Sequence, residues 1–366
     1  MKKKYKIYIF HPYSKIGGAD LSISRLINNL DEKEYDIDFI FLNNQNLSKY
    51  LIKRNVNFIN IKSKRSLFSI FKIRKYLKRD KKNNYQKYIF LSNQNFANVL
   101  SFFLLYKLKW IRHILIERNH IDEFKFNKSL KKLIILLLIK YLYKKADAIV
   151  GISKKLSKDL SSYTNKKCIT IYNPAFDKNI YKLSKKKIYL KNKKNTILTI
   201  GRLEDQKDIK TILQAFILVL NKIESNLLII GYGSQYNEIK DIIKQNNIEK
   251  NVKILTNIKN PFPYYKIVNT FVLSSKYEGF GNVLVEAAMF KNNIISSDCN
   301  SGPKEILLNG QGGQLFKVGD YITLSKKILK SLITQDMTKK DKLYNSLNRF
   351  SIKNNITSYK KLFKKI

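Results

Sequence analysis

The chain has 366 residues, of which 44% are hydrophobic and 27% are charged. This length allows two domains, and the composition excludes a disordered chain. The formal net charge of +44 indicates an anionic partner, such as nucleic acid, an anionic membrane or an acidic substrate; compositional drift toward Lys, Asn and Ile is an equal explanation.

The two cysteines, Cys168 and Cys299, are far apart and have no histidine cluster near them. This pattern argues against a disulfide framework and a zinc site, and it favours a reducing compartment. The chain runs from its first lysines straight into a strand, so no signal peptide is predicted. The most apolar run, Leu133 to Ile139, is too short to span a bilayer. We therefore expect a cytoplasmic protein.

The first strand, Lys6 to Phe10, leads through a loop containing Gly17 and Gly18 into a helix from Leu21 to Leu30. A glycine pair that enters a helix after the first strand marks the ligand crevice of a doubly wound sheet. The local residues are equally compatible with a plain strand-to-helix turn.

The second strand, Ile37 to Leu42, begins in an Asp-x-Asp pair, Asp36 and Asp38. Such a pair can bind a divalent cation, but no other ligand cluster lies nearby. We favour two solvated carboxylates and predict no metal site.

A basic segment, Lys62 to Lys82, contains ten basic residues and one acid, Asp80. Its apolar residues, among them Phe68, Phe71 and Leu77, form one stripe of a predicted helix. A basic amphipathic helix suits an anionic membrane surface, whereas a helix packed on the sheet with a lysine-rich outer face explains the same pattern.

Further strands at Tyr88 to Ser92 and Ile111 to Ile116 complete much of the first sheet, and the latter ends at Glu117-Arg118-Asn119-His120. Polar residues at the carboxyl end of a parallel strand point into the ligand crevice. His120 is therefore a candidate catalytic residue. The remaining elements of this domain are a helix at Ser129 to Lys145, a strand capped by Ser153, and a strand at Ile169 to Tyr172.

The second half repeats the alternation of strand and helix, which predicts a second α/β domain. Its predicted strands are Thr196 to Ile200, Leu227 to Ile230, Val252 to Leu255 and Thr270 to Leu273, with a loop at Asn257 to Tyr265 and a helix at 319–332. We expect an N-terminal domain at 1–175, a linker at 176–194, a C-terminal domain at 195–345, and a helix at 346–366 that crosses back to the first domain.

The stretch after Leu273 carries the clearest chemistry. A turn with Gly279 and Gly281 enters a helix from Asn282 to Met289, and the N–H groups of Gly281, Asn282 and Val283 form a cradle for an anion. Two carboxylates, Glu278 and Glu286, frame this turn eight residues apart. Upstream, Arg202 and Lys207 follow the strand Thr196 to Ile200 and can converge on one diphosphate, although two ordinary surface cations of a basic protein explain the same local pattern.

Three motifs, in this order, resemble the family-four retaining glycosyltransferases of the GT-B fold: Gly201-Arg202-Leu203 with Lys207, Glu278-Gly-Phe-Gly-Asn-Val-Leu-Val-Glu286, and Ser301-Gly302-Pro303-Lys304-Glu305-Ile306. The resemblance covers nearly all of the second domain and the first domain more loosely. It implies an α/β protein of two doubly wound Rossmann-like domains that face each other across a cleft.

The resemblance also implies roles for individual residues. Glu286 holds the ribose hydroxyls of the donor, and Glu278 contacts the sugar near the reacting carbon or, alternatively, acts as a nucleophile. The diphosphate lies against Arg202, Lys207 and the turn; the donor-binding set is Gly17, Gly18, Arg202, Lys207, Gly279, Phe280, Gly281, Asn282, Val283 and Glu286. Preorganised cations stabilise the leaving phosphate without a metal cofactor.

The expected donor is a UDP-sugar carrying N-acetylgalactosamine, galactose or glucose, and the expected acceptor is a lipid-linked or surface oligosaccharide. Such an enzyme works at the inner face of the plasma membrane. Two rivals remain. A nucleic-acid-binding protein agrees with the charge but lacks a recognisable module. A dinucleotide-dependent enzyme requires Gly-x-Gly-x-x-Gly after the first strand, which is absent.

Overall fold

The computed structural model of the chain describes residues 4–13, 17–42, 51–62, 66–120, 130–188, 195–334 and 336–366. Contacts divide the chain into two compact units, Met1–Pro174 with Ile352–Ile366, and Ala175–Ser351. Parts of four predicted features lie outside the described residues: 14–16 in the Gly17 loop, 63–65 in the basic segment, Ser129, and 189–194 in the linker.

The first unit alternates strands and helices, as the sequence predicts. Its elements are β1 (Tyr5–Phe10), α1 (Gly18–Asn29), β2 (Tyr35–Phe41), β3 (Asn57–Asn60), α2 (Ser66–Asp80), β4 (Lys87–Asn93), α3 (Asn95–Leu105), β5 (Ile111–Glu117), α4 (Leu130–Leu142), β6 (Ala148–Gly151), α5 (Lys154–Thr164) and β7 (Cys168–Thr170). The described strands pair in parallel in the order β3-β2-β1-β4-β5-β6-β7. Strands β2 and β3 therefore extend the sheet on one side of β1, and β4 to β7 extend it on the other side, so the strand order reverses between β1 and β4.

The second unit follows the same plan. Its elements are α6 (Asn179–Leu183), β8 (Thr196–Ile200), α7 (Ile209–Leu220), β9 (Asn226–Ile230), α8 (Tyr236–Gln245), β10 (Val252–Leu255), α9 (Phe262–Ile267), β11 (Thr270–Leu273), α10 (Asn282–Met289), β12 (Asn293–Ser297), α11 (Pro303–Ile306), β13 (Gln314–Phe316), α12 (Tyr321–Ile333) and α13 (Met337–Ser346). The described strands are parallel, in the order β10-β9-β8-β11-β12-β13. Here the reversal lies between β8 and β11. The predicted pair of doubly wound domains is confirmed.

The last helix, α14 (Ile352–Lys365), belongs to the first unit. There the Phe363 ring packs against Tyr35 with centroids 6.0 Å apart, and the Phe363 carbonyl accepts a hydrogen bond from Lys87 Nζ at 3.0 Å. The contact boundaries differ from the predicted ones: the return to the first unit begins at Ile352 rather than at 346. Residues 176–188, predicted as linker, belong to the second unit, where Phe176 pairs with Ser351.

The Asp36–Asp38 pair is not solvated, contrary to our prediction. Asp38 is fully buried, and Lys6 Nζ lies 2.9 Å from Asp36 Oδ2 and 2.8 Å from Asp38 Oδ1. The Tyr76 hydroxyl donates a second hydrogen bond to Asp38 at 2.6 Å. Burial opposes the charge on Lys6, but the two carboxylates outweigh burial and raise its pKa. The pair is therefore a structural ion-pair network.

In the basic segment, most of the apolar side chains that the structure describes pack against the core. On α2, Ile73 and Leu77 are fully buried against the sheet, whereas Phe71 is exposed. Of the two explanations for this segment, packing on the sheet accounts for these buried positions. Among the described residues, no helix is long and apolar enough to cross a membrane.

The buried His113, within β5, should make the free energy of unfolding depend on pH. Its ring is buried, and Nε2 lies 2.6 Å from Ser101 Oγ. Burial lowers the pKa of His113 to about 3, below the ordinary value of about 6.5. Below about pH 6.5 the unfolded chain therefore gains a proton that the folded chain does not, and stability falls. At pH 5 this group should cost about 2 kcal/mol.

The measurement is the free energy of unfolding of the first unit at pH 7 and pH 5. Unfolding is monitored by the fluorescence of Trp110, the only tryptophan of the chain. His113→Gln is expected to be less stable at pH 7 but to lose about 2 kcal/mol less between the two pH values. Equal losses in both proteins would contradict the prediction.

Candidate functional site

The switch point of the second sheet positions the predicted donor-binding residues. In doubly wound sheets, ligands bind at the carboxyl ends of the strands where the strand order reverses. Here Gly201 directly follows β8 and Ser274 directly follows β11, and these two strands are neighbours. The Gly-Arg-Leu motif and the Glu-x7-Glu motif therefore begin side by side.

Close backbone approach shapes the turn after β8. A Cβ on Gly231 would lie 1.8 Å from the Gly201 carbonyl oxygen, and one on Gly233 would lie 2.3 Å from the Leu203 carbonyl oxygen. Both positions therefore require glycine. The turn leaves Arg202 exposed, with Nη2 donating to Gln206 Oε1 at 3.0 Å.

Lys207 and Glu278 form an ion pair at the centre of this site. Lys207 Nζ contacts Glu278 Oε1, and the Ser275 hydroxyl donates to the same oxygen at 2.8 Å. Glu278 is only 6% exposed. The Ser274 hydroxyl fixes the lysine segment by donating to the Lys207 carbonyl oxygen at 2.7 Å. The carboxylate thus has a set orientation, and a cation lies beside it.

The turn at 279–281 is held from the opposite loop. Ser301 Oγ donates to the Gly279 carbonyl oxygen at 2.9 Å, and a Cβ on Gly302 would lie 1.7 Å from the Phe280 carbonyl oxygen. Gly281 has φ +97° and directly precedes α10. Asn282 and Val283, two of the three residues of the predicted anion cradle, are the first two residues of α10, which is the part of a helix where backbone N–H groups can face an anion.

The Phe280 ring, predicted among the donor-binding residues, is buried. It packs edge-on against Phe350 with centroids 5.1 Å apart. Its backbone, rather than its ring, therefore forms part of the turn.

Glu286 lies in α10 and is also 6% exposed. The hydroxyl of Tyr265, a fully buried residue of α9, donates to Glu286 Oε2 at 3.0 Å. Burial and, secondly, the Glu286 carboxylate raise the pKa of Tyr265 well above its ordinary value. Tyr265 therefore stays protonated and orients the carboxylate.

The switch point of the first sheet carries the Gly17–Gly18 loop. Asp20 in α1 accepts the Gly17 N–H at 2.7 Å, and its other oxygen lies 2.8 Å from His11 Nε2. His11 Nδ1 lies 2.9 Å from Asn93 Nδ2, across the β1–β4 reversal. This chain of contacts fixes the start of the helix where the loop ends. Gly18 is the first residue of α1.

Arg118 extends this network under the carboxyl end of β5. Its Nε donates to Asn93 Oδ1, and its Nη1 donates to Asn173 Oδ1 at 2.8 Å. Burial lowers the pKa of Arg118. Glu117 Oε1 accepts the backbone N–H groups of Arg118 at 2.9 Å and Asn119 at 3.2 Å. This Glu-Arg-Asn segment is thus a rigid support for the residue that follows it.

His120 is that residue, and it is buried with Nε2 2.8 Å from Asp159 Oδ2. Asp159, in α5, also pairs with Lys155 at 2.8 Å. A carboxylate on one ring nitrogen of a histidine fixes the orientation of the ring.

The structure thus brings Lys207, Glu278 and the 279–281 turn together in the second unit, with Arg202 and Glu286 on adjoining elements. Gly17, Gly18 and His120 lie in the first unit. Sequence reasoning missed the residues that orient this set, namely Ser275, Tyr265, Asp159, Asn93 and His11. Their only sequence signal is a polar residue at a strand end, which Ser275, Asn93 and His11 share and Tyr265 and Asp159 lack.

Comparisons with known proteins show the family of this chain. The family model for glycosyl transferases group 1 matches residues 181–364. An uncharacterized glycosyltransferase of Methanocaldococcus jannaschii is 30% identical over 338 residues, which cover 84% of this chain and 81% of that protein.

A Campylobacter jejuni protein is 32% identical over 218 residues, covering 59% of this chain and 57% of that protein; it is named N-acetylgalactosamine-N,N'-diacetylbacillosaminyl-diphospho-undecaprenol 4-alpha-N-acetylgalactosaminyltransferase. The crystal structure of Anabaena HepE in complex with UDP-glucose matches with a TM-score of 0.80 at 16% identity, over 99% of this chain and 100% of that chain. This likeness confirms the GT-B fold. The chain belongs to the group 1 glycosyl transferases.

Proposed function

We propose that this glycosyltransferase moves a hexose or N-acetylhexosamine, namely N-acetylgalactosamine, galactose or glucose, from a UDP-sugar to a lipid-linked or surface-glycan acceptor, with retention of the anomeric configuration. The observation that carries the proposal is the oriented Lys207–Glu278 pair beside the glycine turn that enters α10. A diphosphate requires fixed cations and N–H groups, and a sugar requires an oriented carboxylate acceptor.

In this proposal the second unit holds the donor. Arg202, Lys207 and the N–H groups at the start of α10 bind the diphosphate, and Glu286 accepts hydrogen bonds from the ribose diol. The Tyr265 hydroxyl donates to Glu286 Oε2 and so orients the carboxylate that accepts the diol in this proposal. Glu278 contacts the sugar near its anomeric carbon.

The reaction breaks the bond between the anomeric carbon and the phosphate oxygen, and negative charge grows on the leaving diphosphate. Cations and helix dipoles that are already in place stabilise this charge. The acceptor hydroxyl attacks from the face that the phosphate leaves, and a phosphate oxygen takes its proton. Glu278 then serves as an electrostatic neighbour rather than as a covalent nucleophile. We expect the transfer to proceed without a metal ion.

The choice of donor and acceptor has support from the relatives. The Anabaena neighbour binds UDP-glucose, and the name of the Campylobacter relative includes a diphospho-undecaprenol saccharide and an α-linked product. Transfer from an α-linked UDP-sugar to an α-linked product is retention. A lipid-linked acceptor implies work at the inner face of the plasma membrane, with His120 on the acceptor side and no role for nucleic acid.

Calorimetric titration with UDP, GDP and ADP tests the donor site. We expect selective UDP binding that persists in EDTA and is lost or strongly weakened in Glu286→Ala, because the ribose diol then has no carboxylate partner. Glu249→Ala is the matched control, since Glu249 is an exposed glutamate of the same unit. It should bind UDP like the unaltered protein.

Three results would reject parts of the proposal. UDP binding that requires Mn²⁺ would reject the expected metal-independent transfer. If both glutamate variants weakened UDP binding equally, the proposed contact between Glu286 and the ribose would be rejected. Salt-sensitive DNA binding without nucleotide binding would favour the basic nucleic-acid-binding alternative. Retention is tested separately, by the anomeric proton coupling in the NMR spectrum of the product.

A further inference from the structure

An exposed apolar stripe runs along α4. Leu130, Leu133, Ile134, Leu137 and Tyr141 are each between 45% and 75% exposed. Their spacing of three, four, seven and eleven residues from Leu130 places them on one face of the helix. We call these five residues the α4 stripe. The other side of the same segment packs inward, since Ile139 and Tyr143 are buried.

The neighbouring helix continues this apolar character. Helices α3 and α4 pack together, with the Phe102 and Tyr143 rings stacked 6.3 Å apart. On the outer side of α3 and the residues after it, Phe103 and Tyr106 are exposed. Arg74 of α2 fastens this end of α3 by donating to the carbonyl oxygens of Leu104 at 2.9 Å and Tyr106 at 2.7 Å. The exposed rings therefore belong to a rigid layer of helices.

The charges on the two segments that carry these exposed apolar residues have one sign. Residues 130–145 contain five lysines and no acid, and residues 95–110 contain two lysines and no acid. Lys144 Nζ lies 5.9 Å from the Tyr141 ring centre, and Lys107 Nζ lies 5.5 Å from the Tyr106 ring centre. Apolar side chains bordered by tyrosines and lysines are typical of a surface that lies at the interface of an anionic bilayer.

We propose that the α4 stripe, with the adjoining lysines, docks the first unit onto an anionic lipid surface. Apolar side chains at helical spacing cost free energy when they remain in water, so such a surface indicates an occupant. A second copy of this chain is the poorer occupant, because docking two stripes would bring lysines against lysines with no acid in either segment. A bilayer supplies both the apolar layer and the negative charge.

This inference places the lipid contact on α4; on α2, for which the sequence left membrane contact and packing on the sheet both open, Ile73 and Leu77 are buried. The surface itself does not depend on the donor site; its use in reaching a lipid-linked acceptor rests on the proposed function. Vesicle binding and UDP binding can therefore fail independently.

Flotation with vesicles tests the proposal. The full chain is mixed with vesicles of phosphatidylcholine alone, or of phosphatidylcholine with 30% phosphatidylglycerol as the chosen anionic composition. We expect binding to the anionic vesicles, and at least about tenfold weaker binding for Leu133→Gln/Leu137→Gln, because each leucine contributes apolar burial at the lipid interface. Both leucines are exposed, so the thermal midpoint should not fall.

The matched control is Ile322→Gln/Ile333→Gln, which changes two exposed apolar residues of α12 in the second unit. It should bind anionic vesicles like the unaltered chain, and both variants should bind UDP normally. Equal loss in the two variants, or equal binding of the unaltered chain to neutral and anionic vesicles, would overturn the proposal. So would a dimer in sedimentation that only the α4 variant dissociates, since a second copy would then cover the stripe.

Discussion

Replacing Lys207 with alanine is expected to weaken UDP binding by about ten- to a hundredfold. The change removes a cation that contacts the diphosphate in the proposed complex, and a charge-assisted hydrogen bond contributes about 1.5–3 kcal/mol. It also leaves the carboxylate of Glu278, which is buried beside Ser275, without its cation. An uncompensated carboxylate repels the diphosphate, so both consequences act in the same direction.

Lys210→Ala is the control for this prediction. Lys210 lies three residues further on and pairs with Glu238, with both side chains more than 40% exposed. Exposed ion pairs contribute little, so UDP affinity should change less than about twofold. The comparison matters because the chain carries a formal net charge of +44. If UDP were held only by the general positive potential, the two variants would weaken binding equally, and the specific role of Lys207 would be rejected.

The elements that the sequence predicted best are short, mostly apolar runs. Strands β8, β10 and β11 and helix α10 have the predicted bounds. In β8 and β11, four or five consecutive apolar or β-branched residues are mostly buried and are bounded by polar or turn residues, so local preference and burial agree. Gly281, at φ +97°, then fixes where α10 begins.

Two of the elements that the sequence did not predict show how local sequence and tertiary structure disagree. Strand β3, Asn-Phe-Ile-Asn, lies at the sheet edge with no buried residue, so its residues show no strong apolar pattern. Helix α9 begins within the predicted loop at Asn257 to Tyr265, where Pro261 and Pro263 indicated irregular backbone. Proline is tolerated at the start of a helix, where its missing N–H has no partner to lose; Pro261 is the N-cap and Pro263 lies in the first turn.

The site residues also fall into those that local sequence predicted and those that depend on tertiary structure. Motif spacing predicted the residues that carry charge, such as Lys207 and Glu278, because each follows a strand that ends at a switch point. It did not predict which side chains orient them. Asp159 is 39 residues from His120 in sequence, and Tyr265 is 21 residues before Glu286. These contacts arise only when separate helices pack, so they depend on distances that no local pattern contains.

Gly302→Ala is expected to lower the free energy of unfolding of the second unit by about 3 kcal/mol, the upper range for overpacking. The new Cβ would lie 1.7 Å from the Phe280 carbonyl oxygen and 2.5 Å from the Phe280 Cα. These are backbone atoms, so no side-chain rotation relieves the clash. Either the loop at Gly302 or the turn at 279–281 must move, and UDP binding should weaken with it.

Gly319→Ala separates this clash from the general cost of replacing glycine. Gly319 has φ +80°, but no heavy atom lies within 4 Å of its added Cβ. The expected cost there is about 1–2 kcal/mol of backbone strain, with UDP affinity unchanged. Trp110 lies in the first unit, so the measurement is differential scanning calorimetry rather than tryptophan fluorescence. If Gly302→Ala bound UDP as tightly as Gly319→Ala, the 279–281 turn would not depend on the Gly302 approach, and the proposed anion cradle would lose its structural support.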